Sequence, residues 1–277
     1  TRLQGDWSSD VCSSDLMVVD GERFFLGSQN FDWTALTHIR ELGVSGHSLG
    51  LARAYSAAFE QDWSRAGGQA VESQSPDTSP LTVLAYGGQV RVFPVFSPAD
   101  PAWSLGSSEE KALVDLLRSA RKSVSLQVMD YSPVIQNYDV PTAGLGYYPT
   151  LDQELRAAAV RGVQVQLLVA DWGAKSPHRE HLLSLAQIPN VEVRVGTIPP
   201  WSGGQIPFTR VGHSKYLLVD GERGWIGTSN WKHSYFHTSR DAGLVFEGAS
   251  LAERVARFFG RDWNGPYVKG ILARPVP

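Results

Sequence analysis

The sequence predicts an α/β sandwich of two pseudo-equivalent lobes, the first of them incomplete. Three observations carry that reading. Strand-like apolar runs alternate with helical periods along the chain. A block near the start recurs at a constant offset of 200 residues. The composition, 42% hydrophobic and 19% charged over 277 residues, is that of a globular protein able to bury a sizeable core. A net charge of −3 argues against a general nucleic-acid coat and leaves room for a local basic site. No uninterrupted apolar run is long enough to span a bilayer.

Residues 1–16 have neither a helical nor a strand period. Asp6 to Leu16 resembles the translation of a sequencing-adapter oligonucleotide, so this segment is set aside from the fold. Cys12, the only cysteine, lies in it; the rest of the chain has no disulfide framework and no cysteine metal site. Residues 17–63 read as the C-terminal part of a first lobe. Met17 to Val19 and Phe24 to Leu26 form a hairpin, Gly27 to Trp33 a loop, and Glu41 to Val44 a short strand. Ser48 to Trp63 follows as a helix with Leu51, Tyr55, Phe59 and Trp63 on its core face. Residues 64–80, rich in Gly, Ser, Gln and Pro, are the linker.

Residues 81–277 read as a complete second lobe. Val83 to Val95 holds one or two strands, and a capping box at Ser107 to Glu110 opens a helix to Arg121. Val124 to Met129 is a buried strand. A helix capped at Thr150 to Gln153 ends at Gly162, where glycine supplies the left-handed stop. Val163 to Ala170 is a further buried strand. Ser176-Pro177 opens a helix to about Gln187, with Pro in the first turn. Val191 to Val195, a hairpin after Val211, and Ala242 to Phe246 supply the remaining strands. Ser250 to Glu253 caps the last helix.

In the repeat, Asp20-Gly-Glu-Arg23 recurs as Asp220-Gly-Glu-Arg223. Gly27 and Asn30 match Gly227 and Asn230, Glu41 and Gly43 match Asp241 and Gly243, and Asp62-Trp63 matches Asp262-Trp263. Two copies of so long a unit imply a pseudo-two-fold pair of lobes. The same offset places Ser13 and Asp15 opposite His213 and Lys215. About 130 residues of first-lobe sheet and helix are expected upstream, judging from the repeat.

His213 and Lys215 alternate on one face of a predicted strand, Asp220-Gly221 is a hairpin turn, and Ser229-Asn230 follow the returning strand. Imidazole, ammonium and carboxamide around one pocket suit a phosphodiester. Lysine neutralises a non-bridging oxygen, asparagine donates to it, and histidine attacks phosphorus or protonates the leaving oxygen.

The pattern His-x-Lys, four residues, Asp, six residues, Gly-Thr-Ser-Asn resembles the signature of the phospholipase D superfamily. Val128 to Tyr131, Arg161 to Leu168, Trp172-Gly173, Leu182 to Ala186 and Ile206 to His213 look like one branch of it. That branch holds the lysosomal phospholipase-D-like 5′ exonucleases and the poxvirus envelope phospholipases. Gly27 to Trp33 and Arg40 to Val44 look like its first-lobe pattern, so the likeness runs from Met17 to about Tyr267. It implies a phospholipase D-like α/β/α sandwich and a metal-independent phosphodiesterase working through a phosphohistidine, with no cofactor. The substrate it implies is single-stranded nucleic acid, with phospholipid as the alternative. The first-lobe histidine is the usual nucleophile of the family, which leaves His213 as general acid and base.

By resemblance, Lys215, Asn230 and Asn30 bind phosphoryl oxygens, Glu41 and Asp241 orient the histidines, and Asp20 and Asp220 complete the two motifs, Asp220 as a hairpin anchor. Ser28, Ser229, Tyr131, Trp172 and Trp231 are candidate substrate contacts, though the aromatics could equally line an acyl pocket or pack in the core. His178 and His181, three apart on a helix with no third ligand suggested, read as a solvated face and not a metal site. No protein partner is implied. With Ser13 and Asp15 in the first motif the chain is expected to be inactive, a homodimer pairing two His213 residues being the one escape. Relatives are extracytoplasmic or membrane-associated; the compartment of this chain stays open.

Overall fold

The computed structural model describes residues 15–67, 75–99, 105–135 and 146–272. The readings on residues 1–14, Ser13 among them, and on the centre of the linker lie outside these. The first unit is β1 (Leu16–Val19), β2 (Arg23–Gly27), α1 (Trp33–His38), β3 (Gly43–His47) and α2 (Leu49–Arg65). The second opens with β4 (Leu81–Ala85), β5 (Gly88–Ser97), α3 (Glu109–Ser119) and β6 (Ser123–Val128). A small pair, β7 (Val134–Ile135) and β8 (Gly146–Tyr147), precedes α4 (Thr150–Val160), β9 (Gln164–Ala170), α5 (His178–Ala186) and β10 (Val191–Gly196). It closes with β11 (Tyr216–Val219), β12 (Arg223–Gly227), α6 (His233–His237), β13 (Asp241–Glu247), α7 (Ala249–Trp263) and β14 (Val268–Gly270).

The large sheet has nine strands in the order β14-β10-β9-β6-β11-β12-β13-β5-β4, and the small one runs β1-β2-β3. The inner strands β6, β9 and β10 pair in parallel; the other pairings are antiparallel. The repeat holds down to strand register. Leu16 pairs Leu26 and Gly27 pairs Gly43, as Tyr216 pairs Ile226 and Gly227 pairs Gly243.

Two cores follow from the layering. Leu113, Leu117, Leu151, Leu155 and Leu182 of the outer helices pack on Leu126, Val165 and Leu167 of the sheet. On the other face, α2 and α7 place Leu51, Tyr55, Leu251 and Val255 against Phe24, Leu26, Tyr216, Leu244 and Phe246, joining the two sheets. Each such side chain, fully buried, contributes roughly 1.5–3 kcal/mol. Two reciprocal ion pairs tie the units: Arg40–Asp262 and Arg240–Asp62, both at 2.9 Å, each partner of one being 200 residues from its counterpart in the other.

Several local expectations are corrected. β11 begins at Tyr216, so His213 and Lys215 sit in the extended lead into the strand and not within it. Glu109 and Glu110 do not complete a capping box. Ser108 is the N-cap, accepting from Lys111 N, and both glutamates point elsewhere. Thr150 and Ser250 do not cap either: the N-caps of α4 and α7 are Pro149 and Gly248, and Ser250 Oγ donates to Ala85 O. Pro177 is the N-cap of α5 and so precedes its first turn.

The α2 stripe is half covered. Leu51 and Tyr55 are buried, but Phe59 and Trp63 are 53% and 52% exposed. Their counterparts Phe259 and Trp263 are buried, and Arg194 of β10 lies 4.3 Å over the Trp263 ring. No equivalent of β10 flanks α2 among the described residues. A cleft of about 650 Å³ opens there instead, between Leu16, Tyr55, Phe59 and Trp63, and reaches Asp241.

Candidate active site

His213 is held from both units. Its backbone lies against first-unit residues, with His213 N donating to Arg40 O and Arg40 N to Val211 O. Its ring Nδ1 is 2.8 Å from Ser28 O and 3.0 and 3.1 Å from the two oxygens of Glu41. With two acceptors there, Nδ1 carries a proton. Nε2 is then the open ring atom of the neutral tautomer, and Lys215 Nζ donates to it at 2.8 Å. All three side chains are buried: His213 is 5% exposed, Lys215 is 1% exposed, and Glu41 is 3% exposed at its side chain. Ser28 Oγ donates to Glu41 Oε2, fixing the carboxylate that fixes the ring.

Asn230 is buried behind the Gly227-Thr-Ser turn. Its Oδ1 accepts from Asp130 N and its Nδ2 donates to Tyr235 Oη. Asn30 is half-buried at the equivalent turn. Lys232 stands 3.6 Å from Asp130 at the rim.

Among the described residues, the pseudo-two-fold mate of this arrangement is present only in part. Thr228 Oγ1 donates to Asp241 Oδ1 at 2.7 Å, as Ser28 does to Glu41, but Asp241 Oδ2 has no hydrogen-bond partner among the described residues. Gly27 N donates to Asp15 O as Gly227 N does to Lys215 O, so Asp15 takes the register position of the lysine. Asp15 is itself buried. Burial first, then the Asp15 charge, pushes the Asp241 carboxyl up to about 7, against the pull of Thr228 and Lys215.

Glu109 is a member of this region that sequence reasoning missed. It is wholly buried, accepts from Trp225 Nε1 at 3.0 Å and from Ser229 Oγ, and is pushed up to about 8 by burial and by Asp241. Sequence offered one signal for it: a second acid beside Glu110 at a helix start needing only one. Glu110 instead meets His237 at 3.4 Å and accepts from Tyr148.

Other expected site residues stand elsewhere. Asp220 accepts from the backbone N–H groups of Arg121, Lys122 and Ser123 and so anchors the hairpin; burial alone would raise its carboxyl, and these bonds hold it below the usual range. Asp20 is exposed at the opposite turn. Tyr131 and Trp231 are core residues, Tyr131 Oη donating to Asp152, so neither presents a face to a ligand. Ser229 is turned to Glu109, away from any substrate. Trp172 is 37% exposed and keeps an open face. His178 and His181 are half-buried on α5, the latter stacked on Tyr147.

Residues 113–263 match the family described as "Cardiolipin synthase, PLD-like domain". Phospholipase D Z of Dictyostelium discoideum is 31% identical over 93% of the chain and 63% of its own length. The 5′-3′ exonuclease PLD3 of Bos taurus is 33% identical over 93% of the chain and 56% of its own length. The chain therefore spans less than two thirds of either relative. In fold it is similar to phosphatidylserine synthase of Haemophilus influenzae, with a TM-score of 0.63 at 13% identity over 92% of this chain and 62% of that one. By the family match over more than half its length, the chain belongs to the phospholipase D superfamily.

Proposed function

We propose that this chain carries one half of a two-histidine phosphodiesterase centre whose substrate is single-stranded nucleic acid. The observation that supports this best is the carboxylate–imidazole–ammonium line Glu41–His213–Lys215, with Nδ1 anchored and Nε2 presented. With Lys215 drawn to the phosphate, His213 enters the reaction as the imidazolium steadied by Glu41, gives its Nε2 proton to the leaving oxygen and takes one back from water in the second step. Lys215 and Asn230 neutralise the phosphoryl oxygens, and Lys215 leaves Nε2 for phosphate when substrate arrives. Attack on phosphorus comes from the opposite side and needs a second imidazole, which Asp241 and Thr228 would orient as Glu41 and Ser28 orient His213.

Asp15 puts a carboxylate where that half needs a cation, so a monomer of this chain does not turn over. A homodimer pairing two His213 residues is the one arrangement that would. Phospholipid is the second reading, favoured by the relative named a phospholipase D. Nucleic acid is preferred because a relative at 33% identity is named an exonuclease and the residues around His213 expose open aromatic faces. Equilibrium binding of a short oligothymidylate and of phosphatidylcholine vesicles tests the reading. Oligonucleotide binding that weakens with salt and is lost in Lys215→Ala is expected; vesicle binding alone transfers the assignment to lipid.

A further inference from the structure

The segment leading into His213 carries aromatic rings that no core uses. Phe208 is 66% exposed and Trp201 45%. The backbone around them is held in an unusual form: Phe208 and Arg210 adopt left-handed φ angles of 56° and 62°, a conformation costly for side chains other than glycine. Phe208 stands exposed five residues before His213. Phe208 meets Trp172 edge-on, centroids 6.4 Å apart at 80°. Across the same segment Trp201 lies 5.2 Å from His38, which meets Trp33 edge-on at 5.6 Å and 87°. Arg210 N donates to His38 O, so the two ring groups are joined by one stretch of backbone.

The edge-on pairs Trp33–His38 and Trp172–Phe208 leave ring surface exposed, Trp33 to 60%. Between the groups, Arg210 is fixed by Nε donating to Pro199 O, with no acid paired to its Nη atoms among the described residues. Open flat faces on both sides of an anchored cation match unpaired bases flanking a phosphate.

We propose that Trp33, His38, Trp201, Phe208 and Trp172, with Arg210 between them, form a stacking track for unpaired bases next to the scissile phosphodiester. The proposal rests on the nucleic-acid reading above and assigns it the residues that distinguish a base from a bare phosphate.

Anisotropy titration of the full chain with labelled oligothymidylate and with an abasic deoxyribose-phosphate oligomer of equal length tests it. Removing one ring in Phe208→Ala or Trp201→Ala weakens oligothymidylate binding about 5- to 150-fold and leaves abasic binding unchanged. Phe208→Tyr restores it. These side chains are exposed, so the variants keep the fold, checked by an unchanged melting curve. Equal loss on both oligomers, no loss on either, or loss confined to phosphatidylcholine vesicles overturns the track. Lys215→Ala separates the two claims: if it leaves oligothymidylate binding intact while Phe208→Ala weakens it, the track stands and the phosphate-site reading falls.

Discussion

Glu109 makes the stability of this protein depend on pH in a way that runs opposite to most acid-sensitive folds. In the unfolded chain Glu109 and Asp241 titrate near 4.5 and 3.8; in the fold they are pushed up to about 8 and about 7. Folding therefore takes up protons between these limits. The stability the neutral forms provide is full below pH 3.8–4.5 and is lost as pH rises through 7 and 8. Each proton contributes a slope of about 1.4 kcal/mol per pH unit, so two give about 2.7 kcal/mol per pH unit between pH 5 and 7. Several kcal/mol should disappear between pH 5 and 8, on the order of half the stability of an ordinary domain. Carboxylates held low, such as Asp152 and Asp220, act in the other direction below pH 4 and place the optimum near pH 5. Glu109→Gln is the decisive perturbation. An amide keeps an acceptor for Trp225 and a donor for Ser229 but cannot ionise. Urea unfolding at pH 5 and pH 8 should show wild type losing much of its midpoint at pH 8 and Glu109→Gln losing about half as much. Parallel profiles for the two proteins would refute the buried-acid account.

Three further outcomes follow from the same geometry. Asp15→Lys replaces a like charge near Asp241 by the cation the register calls for, and should stabilise the fold most at pH 8, by about 1–2 kcal/mol, read as a raised melting temperature; a lower melting temperature at pH 8 would contradict the equivalence of Asp15 and Lys215. Gly243→Ala would set a methyl carbon 2.2 Å from Trp225 Nε1 and 2.7 Å from Glu109 Oε1, and should cost at least 1–3 kcal/mol in urea unfolding. In a protein carrying this lobe together with an intact first His-x-Lys, His213→Ala should lower turnover by roughly two to four orders of magnitude with the fold unchanged by circular dichroism; wild-type turnover would remove His213 from the chemistry.

Much of the site was legible in sequence because it is encoded twice. The offset of 200 that pairs Glu41 with Asp241 also pairs Arg40 with Arg240 and Asp62 with Asp262, and the structure turns those matches into two crossed ion pairs. What sequence could not show is which side of a packed layer a residue faces. Tyr131 and Trp231 stand beside site loops in the chain yet pack inward, whereas Phe208 stands in the same neighbourhood, exposed, with a left-handed backbone angle that no residue type announces. Glu109 escaped because an acid at a helix start reads as a cap, and its burial depends on Trp225, more than a hundred residues away. Phe59 and Trp63 follow the periodicity of a core face, but a stripe is buried only where another element covers it.

The proposed active centre is composite, with this chain supplying its His213 half. Hydrolysis of a chromogenic phosphodiester by the purified chain, read together with its mass in solution, tests that claim most directly. No hydrolysis is expected from a monomer, and any activity should sediment with a dimer and vanish in His213→Ala. Turnover by a monomer would contradict it.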